Sequence, residues 1–592
     1  MSAPTEETSG GSRPGWLLPA GVLLLASVAV ALAFNPAPHT GGDNAAYVTL
    51  GYSLLEYGSY TELFDPAAYP HTKYPPVFPA LLALLMAVGV RGWAGLKLVA
   101  AVSSVAAVGL TWLWARRRLG DLPAAGIALA LGLSSAVIYY SHWILSDPTF
   151  LAFTLLGLWA LERADAAWAE EAPERGGTGA REPREVGPPA MGWLALGVVA
   201  TGLAYFTRSA GLPLMVAVLG WLVLRRRWKE LVGSAVALGV PALAWWLRSR
   251  SVPRAEGEYG VEFWLVDPYQ PELGQVGLGG LVGRVVGNTG GYLTQHIPGG
   301  VIGSQAPALP VVGILLVGLA VVGWVLTCRR RIGPVELFFP LYSGLILLWP
   351  EVWSGDRFAL PLFPVLFVYA GWALLRGGLR LGRWAPGTLG AAALLALLLP
   401  ALGGWMDQVR TARTCAAAVE QGGAFACYGG RWARFSEAAA WTGRNLPEGS
   451  AVLSRKPRMF YVLGGVPSRT FPFQQDFAAH RRVATESGAR YVLLDEVDGL
   501  ASHYVGGAIR QEPGAWCALQ GFGAGQGIGT QLLGLLPEAT DGPAAAPGEV
   551  RIGRCPDGYR EAGAGSVPAE GPRGPQSSSV IPLLAPMPEL SP

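Results

Sequence analysis

The chain has 592 residues, of which 51% are hydrophobic and only 14% are charged, with a mean hydropathy of +0.35. A soluble protein of this length would need more charge to coat its surface, so the composition excludes an ordinary soluble fold. The net charge of +3 gives no indication of nucleic-acid binding, and the six histidines and five cysteines lack the CxxC or HExxH spacing of common metal sites.

Apolar runs follow a short polar leader, residues 1–15, which we assign to the cytoplasm. Each run has about 15–23 residues, the length at which a helix crosses the bilayer core. The first is predicted to be a retained anchor rather than a cleaved signal peptide, because so many spans follow it. The sequence therefore predicts a polytopic α-helical domain over 16–403, in the plasma (inner) membrane, with about eleven spans: Trp16–Phe34, Trp93–Ala115, Leu122–Tyr140, Trp143–Leu161, Pro189–Phe206, Ala210–Leu224, Leu231–Leu247, Pro307–Thr327, Val335–Trp349, Phe358–Leu375 and Trp384–Gly403.

Arginine clusters on alternate loops predict the orientation. By the positive-inside rule these loops are cytoplasmic: 116–118, 225–227, 329–331, and Arg376 with Arg380 and Arg383. The charged insert 162–188 joins them as a predicted flexible linker. The first outer loop, 35–92, the outer loop 248–306 and all residues after Gly403 are then extracytoplasmic.

The short run Phe78–Val90 decides the sidedness of the first loop. It is too short to span comfortably, so we predict a re-entrant or interfacial helix. If it did span, the loop before it would be cytoplasmic. That loop has Lys73 as its one base against four acids (Asp43, Glu56, Glu62 and Asp65), which favours the outer side.

The region after the last span is predicted to fold as a small α/β domain over 404–536. Helices are expected at Phe435–Asn445 and Pro457–Leu463, and strands at Ala451–Ser454 and Tyr491–Leu494. Residues 537–592 are rich in Pro, Gly, Ser and Ala and are predicted to be disordered. Four of the five cysteines lie in this region, which favours two disulfides over four free thiols: Cys415, Cys427, Cys517 and Cys555.

The first outer loop carries the most informative residues. Ala45–Tyr57 can form an amphipathic helix on the membrane surface, with Asp43 and Asn44 at its start. A carboxylate there could simply cap free N–H groups, so Asp43 has both a structural and a chemical interpretation.

An acid after the first span, a surface helix and the segment Lys73-Tyr74-Pro75-Pro76 together resemble the GT-C glycosyltransferases. The protein O-mannosyltransferases and the aminoarabinose lipid A transferases are the most similar families. The resemblance covers about Trp16 to Asp498 and includes three later motifs: Ser146-Asp147-Pro148, Thr207-Arg208-Ser209-Ala210-Gly211, and Gly355-Asp356-Arg357-Phe358 followed by Leu360-Pro361-Leu362.

The resemblance implies that Asp43 is the catalytic base that deprotonates the acceptor. Asp147 is expected to assist as a second acid or to bind a cation; the alternative is a helix cap before Pro148. Basic side chains at the outer boundaries are expected to stabilise the departing lipid phosphate, although each alone could instead snorkel to headgroups: Lys73, Arg208 and Arg357. Weaker candidates for the sugar pocket, which could equally be interfacial anchors, are Tyr74, His71, His142 and Glu351.

The chain departs from the protein O-mannosyltransferases in having Asn44 after Asp43, where they carry Asp-Glu, and in lacking their β-trefoil insert. Protein acceptors therefore cannot be carried over, and a divalent metal is poorly supported. The leading hypothesis is an inverting glycosyltransferase that takes its sugar from a polyprenyl-phosphate donor. Its acceptor is an unidentified lipid, glycan or protein, and the membrane lipids are its other partners. The alternatives are a transporter or lipid flippase, and a non-catalytic envelope scaffold.

Overall fold

The computed structural model describes residues 16–171, 188–253, 259–381, 385–523, 529–537 and 552–560. The predicted cytoplasmic leader lies outside these residues. Nineteen helices precede the C-terminal domain in the described part of the chain: α1 Leu17–Leu32, α2 Gly42–Tyr57, α3 Val77–Ala87, α4 Trp93–Leu96, α5 Leu98–Leu119, α6 Asp121–Leu133, α7 Ser135–Ser141, α8 Asp147–Glu171, α9 Pro188–Thr207, α10 Leu212–Leu224, α11 Trp228–Ser251, α12 Tyr259–Glu262, α13 Leu278–Gly291, α14 Ile297–Ile302, α15 Leu309–Cys328, α16 Pro334–Leu348, α17 Asp356–Ala359, α18 Leu362–Leu381 and α19 Ala385–Gly422.

Each of the eleven predicted spans coincides with a helix or a bent pair of helices. Within the described residues, five helices are long and apolar enough to cross a membrane, and α6 with α7, bent by 57°, would make a sixth. Shorter apolar helices occupy other predicted spans, and α8 carries several charges along its length. The chain is a polytopic helical membrane protein, and its number of crossings stays a prediction.

The predicted flexible linker is wrong at its beginning, because α8 continues through it to Glu171. Glu162 lies between Arg118, with which it pairs, and Trp114, whose indole donates to it at 2.9 Å. One turn further, Asp165 pairs with Arg225 and Arg331, both at distances below 3 Å. These ion pairs bring all three triple-arginine clusters to the same end of α8, which we call the arginine end. Residues 172–187 of the linker lie outside the described part.

Helix α2 begins at Gly42 and is buried over most of its length, so the prediction of a helix lying on the membrane surface is wrong. It packs between α3 and the C-terminal helix α21 (Pro457–Gly464). Helix α3, at 11 residues, is about 16 Å long and too short to cross the bilayer core. Regular structure also forms in the outer loop 248–306, since α11 extends into it and α12, α13 and α14 lie within it.

The C-terminal domain is an α/β domain with one six-stranded mixed sheet of order β2-β1-β3-β5-β4-β6. Strands β1, β2 and β3 pair in parallel, and β5 pairs antiparallel with both β3 and β4. Besides α21, the elements of this domain are β1 Val452–Leu453, β2 Ser468–Arg469, β3 Tyr491–Leu494, β4 Trp516–Phe522, β5 Thr530–Leu535, β6 Gly553–Arg554, α20 Gly430–Asn445, α22 Phe477–Ser487 and α23 Leu500–Gln511.

Two boundaries of this domain differ from the prediction. Helix α19 continues for a further 19 residues beyond Gly403, so the membrane part and the domain share one helix. Strand β6 lies in the tail that was predicted to be disordered after residue 537, and it pairs in parallel with β4. The predicted disulfides both form, Cys415 with Cys427 and Cys517 with Cys555, and the second holds β6 beside β4.

Candidate functional site

Asp43 lies in the first turn of α2 but does not cap it, so the capping interpretation is wrong. The residue before the helix is Gly41, and the side chain of Asp43 turns towards the outer loops instead. Its Oδ1 accepts a hydrogen bond of 2.8 Å from the Tyr74 hydroxyl, and its Oδ2 accepts one of 2.8 Å from Nη1 of Arg357. About 31% of the side chain is exposed, so the carboxylate is within reach of a substrate.

Tyr74 is held by a network within the first outer loop. Its backbone N–H donates to Nε2 of His71 at 2.7 Å, so the other ring nitrogen of His71 carries the proton. That Nδ1–H donates to Glu62 at 2.7 Å, and the Tyr60 hydroxyl donates to the Tyr74 carbonyl at 2.9 Å. His71 is buried, and it positions Tyr74 rather than facing a sugar pocket itself.

Arg357 connects Asp43 to the second carboxylate of the site. Its Nε donates to Oδ2 of Asp147 at 2.8 Å, while Oδ1 of Asp147 pairs with Nη1 of Arg208 at 2.7 Å. Asp147 is 3% exposed, so its charge is balanced by these two guanidinium groups rather than by water. The structure therefore brings together four of the predicted residues in one continuous chain of charged contacts.

Neighbouring elements fix the two arginines. Arg357 belongs to the short helix α17, whose first residue, Asp356, accepts a hydrogen bond of 2.8 Å from Tyr140. Arg208 follows the last residue of α9 in an extended conformation. Beyond it, Gly211 packs so tightly on Tyr205 that a Cβ would lie 2.7 Å from its backbone, which only glycine permits.

The electrostatics of the site favour an ionised Asp43. Burial by itself would raise the pKa of this carboxyl, but the charge of Arg357 and the hydrogen bonds from Arg357 and Tyr74 outweigh it and lower the pKa below its usual range. Burial, together with the charge of the same guanidinium, lowers the pKa of the nearby His39 to about 4, so this imidazole is neutral at physiological pH. His39 accepts from the backbone N–H of Gly41 at 2.8 Å and thereby shapes the start of α2.

Lys73 is engaged by the outer loop rather than by the Asp43 cluster. Its Nζ lies 2.9 Å from both carboxylate oxygens of Glu262 and 4.8 Å from the ring centroid of Tyr259. Because the next residue, Tyr74, contacts Asp43, this ion pair borders the cluster and connects it to the loop of α12.

Two predicted pocket residues lie elsewhere. His142 is buried against Trp143, and burial together with the charge of Lys97 lowers the pKa of His142 to about 3, so it is neutral. Glu351 is exposed in a short 3₁₀ helix, where its carboxylate faces Gly287 of α13. An acidic residue at the rim of the membrane part does not by itself indicate which way its side chain turns.

The cluster and the arginine end lie at opposite ends of the membrane part. Helix α8 carries Asp147 as its first residue and Glu162 further along, and at 1.5 Å per residue these two are about 22 Å apart. The C-terminal domain is on the side of the cluster, because the guanidinium of Arg458 in α21 lies 5.5 Å from the ring of Tyr74.

Sequence reasoning also missed Arg458 and Tyr47, which contribute to the site. Arg458 comes almost 400 residues after Tyr74, and no motif connects them, so its role depends on the packing of α21 over α2. Tyr47 lies within the predicted helix Ala45–Tyr57, and the period of α2 directs it to Ser146, whose hydroxyl lies 2.8 Å from its own. This contact fixes the segment that carries Asp147.

Among the described residues no group of three or more His, Cys, Asp or Glu side chains is arranged to hold a metal ion. The oxygens of Asp43 and Asp147 all accept hydrogen bonds or ion pairs from Tyr74, Arg357 or Arg208. The guanidinium groups of Arg357 and Arg208 balance the charge of these carboxylates, which leaves little negative charge to attract a divalent cation.

No protein-family model and no curated protein matches the sequence. Solved structures do match. The archaeal oligosaccharyltransferase AglB from Archaeoglobus fulgidus, in complex with an inhibitory peptide and a dolichol-phosphate, is 14% identical, with 86% of this chain and 74% of that chain covered and a TM-score of 0.52. ArnT from Cupriavidus metallidurans in the apo state is 15% identical, with 88% and 97% covered and a TM-score of 0.50. The same enzyme bound to undecaprenyl phosphate is 16% identical, with 88% and 98% covered and a TM-score of 0.50. Over most of its length, this polytopic membrane protein therefore has the fold of the GT-C glycosyltransferases.

Proposed function

We propose that this protein is a membrane glycosyltransferase that transfers a sugar from a polyprenyl-phosphate donor to an acceptor on the extracytoplasmic side. The observation that carries the proposal is the continuous contact from Tyr74 through Asp43, Arg357 and Asp147 to Arg208. It joins a partly exposed carboxylate to two guanidinium groups, and these are the groups that sugar transfer from a lipid phosphate requires.

The extracytoplasmic location is supported by the arrangement of charge along the membrane part. The triple-arginine clusters meet at one end of α8, and the positive-inside rule assigns that end to the cytoplasm. The cluster and the C-terminal domain are at the other end. The two disulfides of that domain are consistent with an oxidising compartment.

In the proposed reaction, the acceptor oxygen attacks the anomeric carbon of the donor while its proton passes to Asp43. The bond between the anomeric carbon and the phosphate oxygen breaks, and its electron pair leaves with the polyprenyl phosphate. Arg357 and Arg208 stabilise the negative charge that develops on this phosphate, and Lys73 can join them if its pair with Glu262 opens. Inversion at the anomeric carbon is inferred from the GT-C fold.

The contact between Arg357 and Asp43 gives the base two states. Without donor, the guanidinium stabilises the carboxylate and keeps it a weak base. A donor phosphate that attracts Arg357 weakens this contact, so Asp43 becomes more basic when a leaving group is in place. Asp147 is a positioning residue in this scheme, since it holds both guanidinium groups from the side.

The test uses the purified full-length protein in detergent or nanodiscs. We expect native mass spectrometry to detect bound undecaprenyl phosphate, and we expect radiolabel to leave a polyprenyl-phosphate sugar when cell-envelope extract supplies the acceptor. Asp43→Asn should retain the lipid but abolish transfer, because an amide cannot accept the proton. Arg357→Gln should weaken retention of the lipid.

The matched control is Arg410→Gln, which removes an exposed arginine paired with Asp407 in α19, far along the chain from the cluster. It should alter neither measurement. Wild-type turnover by Asp43→Asn, or lipid retention that is the same in all variants, would contradict the proposal.

A further inference from the structure

A second concave surface lies between the outer loop and the C-terminal domain. It is a cleft of about 510 Å³, bordered on one side by the loop residues Pro271 and Glu272 and on the other by α23 and the segment before α22. The residues that give it its chemical character are Glu272, Phe473, Gln475, Asp476, His503 and Tyr504. None of them belongs to the cluster around Asp43.

The lining combines aromatic rings with planar polar groups. The rings of Phe473 and Tyr504 stack at 5.4 Å between centroids. Around them are an amide, an imidazole and two carboxylates, with Nε2 of Gln475 3.2 Å from the ring of His503. Aromatic surfaces cover the apolar faces of sugar rings, and fixed amides and carboxylates bind their hydroxyls, so this lining suits a carbohydrate.

A series of aromatic rings connects this cleft to the candidate site. It begins at Tyr259, whose ring lies 4.8 Å from Nζ of Lys73. From there, successive ring centroids are 5.7, 6.0, 6.2, 6.4 and 5.4 Å apart, through the half-buried rings Tyr259, Trp349, Trp353, Tyr269 and Phe473 to the buried ring of Tyr504.

The loop and the domain are fastened together along this series. The Tyr504 hydroxyl donates to the Tyr269 carbonyl at 3.0 Å, and the guanidinium of Arg455 lies 5.6 Å from the rings of both Tyr269 and Phe473. Three separate parts of the chain therefore supply one continuous aromatic surface.

We propose that the cleft and this ring series bind an oligosaccharide chain, which is the acceptor and whose reacting end reaches Asp43. The acceptor role depends on the proposed function, whereas glycan binding by the cleft does not. A polypeptide is the less suitable occupant, because a stable peptide interface needs partners for its backbone groups, and the lining offers mainly side chains.

The experiment measures binding to the full-length protein by saturation-transfer NMR and isothermal titration. The probes are linear di- and hexasaccharides of mannose, galactose and arabinose, the polysaccharide fraction of the producing organism's envelope, and an unrelated hexapeptide. We expect at least one hexasaccharide or the envelope fraction to bind, and a hexasaccharide to bind about tenfold more tightly than its disaccharide because it occupies more of the series.

Two variants with matched controls assign the binding to this surface. Gln475→Ala should weaken hexasaccharide binding about fivefold, the loss of one hydrogen bond, whereas Gln520→Ala in β4 should not. Trp353→Ala should reduce the advantage of the longer sugar, whereas replacing Trp264, an exposed tryptophan of the outer loop 248–306, by alanine should not.

The outcomes separate this inference from the proposed function. Retention of undecaprenyl phosphate without binding of any saccharide would overturn the inference and leave the proposed function standing. Equal effects of the variants and their controls, or preferential binding of the peptide, would also overturn it. Saccharide binding without lipid retention would support the glycan cleft and remove the proposed donor.

Discussion

Replacing Arg357 by glutamine tests the central contact of the cluster. In the structure this guanidinium donates to Asp43 and to Asp147, both at 2.8 Å. Glutamine keeps a hydrogen-bond donor but removes the charge. Asp147 then retains Arg208 as its partner, and Asp43 retains the hydroxyl of Tyr74.

The expected cost follows from what the guanidinium does in the reaction. Removing one positioned donor from a developing anion typically costs about 2.7–4 kcal/mol, or roughly 10²–10³ in kcat. Arg357→Gln should therefore reduce kcat by about that factor. The loss would be smaller if Arg208 alone could stabilise the phosphate.

The pH profile distinguishes a chemical role from a structural one. Arg357 lowers the pKa of Asp43 against the opposing influence of burial, so without Arg357 that pKa rises. A base loses activity as pH falls through its pKa, and kcat/KM reports the free enzyme. The acidic limb of kcat/KM should therefore move to higher pH in Arg357→Gln.

Arg208→Gln is the matched variant, because Arg208 contacts Asp147 and not Asp43. It should lower kcat without moving the acidic limb, in a series of radiolabel-transfer assays between pH 4 and pH 8. An unmoved limb in Arg357→Gln, or the same displacement in both variants, would refute the coupling between the guanidinium and the base.

Three further predictions concern stability and positioning. Burial raises the pKa of Asp495 to about 6, so ionisation of this carboxyl destabilises the fold as pH rises from about 4 to 6. Asp495→Asn should therefore raise the free energy of unfolding at pH 7.5 by at most about 3 kcal/mol and have no such effect at pH 4. Thermal unfolding at both pH values will check this. Cys555→Ser opens a disulfide with a sequence separation of 38 and should destabilise the C-terminal domain by about 4 kcal/mol, and a denaturation midpoint equal to wild type would contradict this. Glu62→Gln weakens the bond that orients His71 and should lower kcat about tenfold while lipid retention stays unchanged; equal losses in both would indicate a folding defect instead.

The membrane helices could be predicted from the sequence because each depends on its own apolar length. The position of α2 could not, since its burial depends on α21, which lies some 400 residues later in the chain. The sequence pattern of α2 therefore predicts a helix on the membrane surface, whereas in the structure protein covers this helix. Strand β6 was missed for a similar reason, because its Pro- and Gly-rich surroundings predict disorder while pairing with β4 orders it.

The candidate site was predictable as far as its motifs extend. Asp43, Asp147, Arg208 and Arg357 each stand in a short segment at a helix boundary, and the order of these segments indicated a common location. The partners of these residues were not predictable, because pairing is decided by three-dimensional contacts. In the sequence, Lys73 and Arg357 are both basic residues at an outer boundary, yet in the structure Lys73 forms a separate ion pair with Glu262.

The seating of α21 on α2 has a consequence for how such proteins can be recombined. Helix α2 is buried on one side by the membrane part and on the other by a helix of the C-terminal domain. A chimera that joins this membrane part to the terminal domain of a relative would place an unmatched surface directly behind the carboxylate of α2. Exchange of the C-terminal domain should succeed only when α2 and α21 are transferred together. Sequence changes in one of these helices are therefore expected to be accompanied by changes in the other.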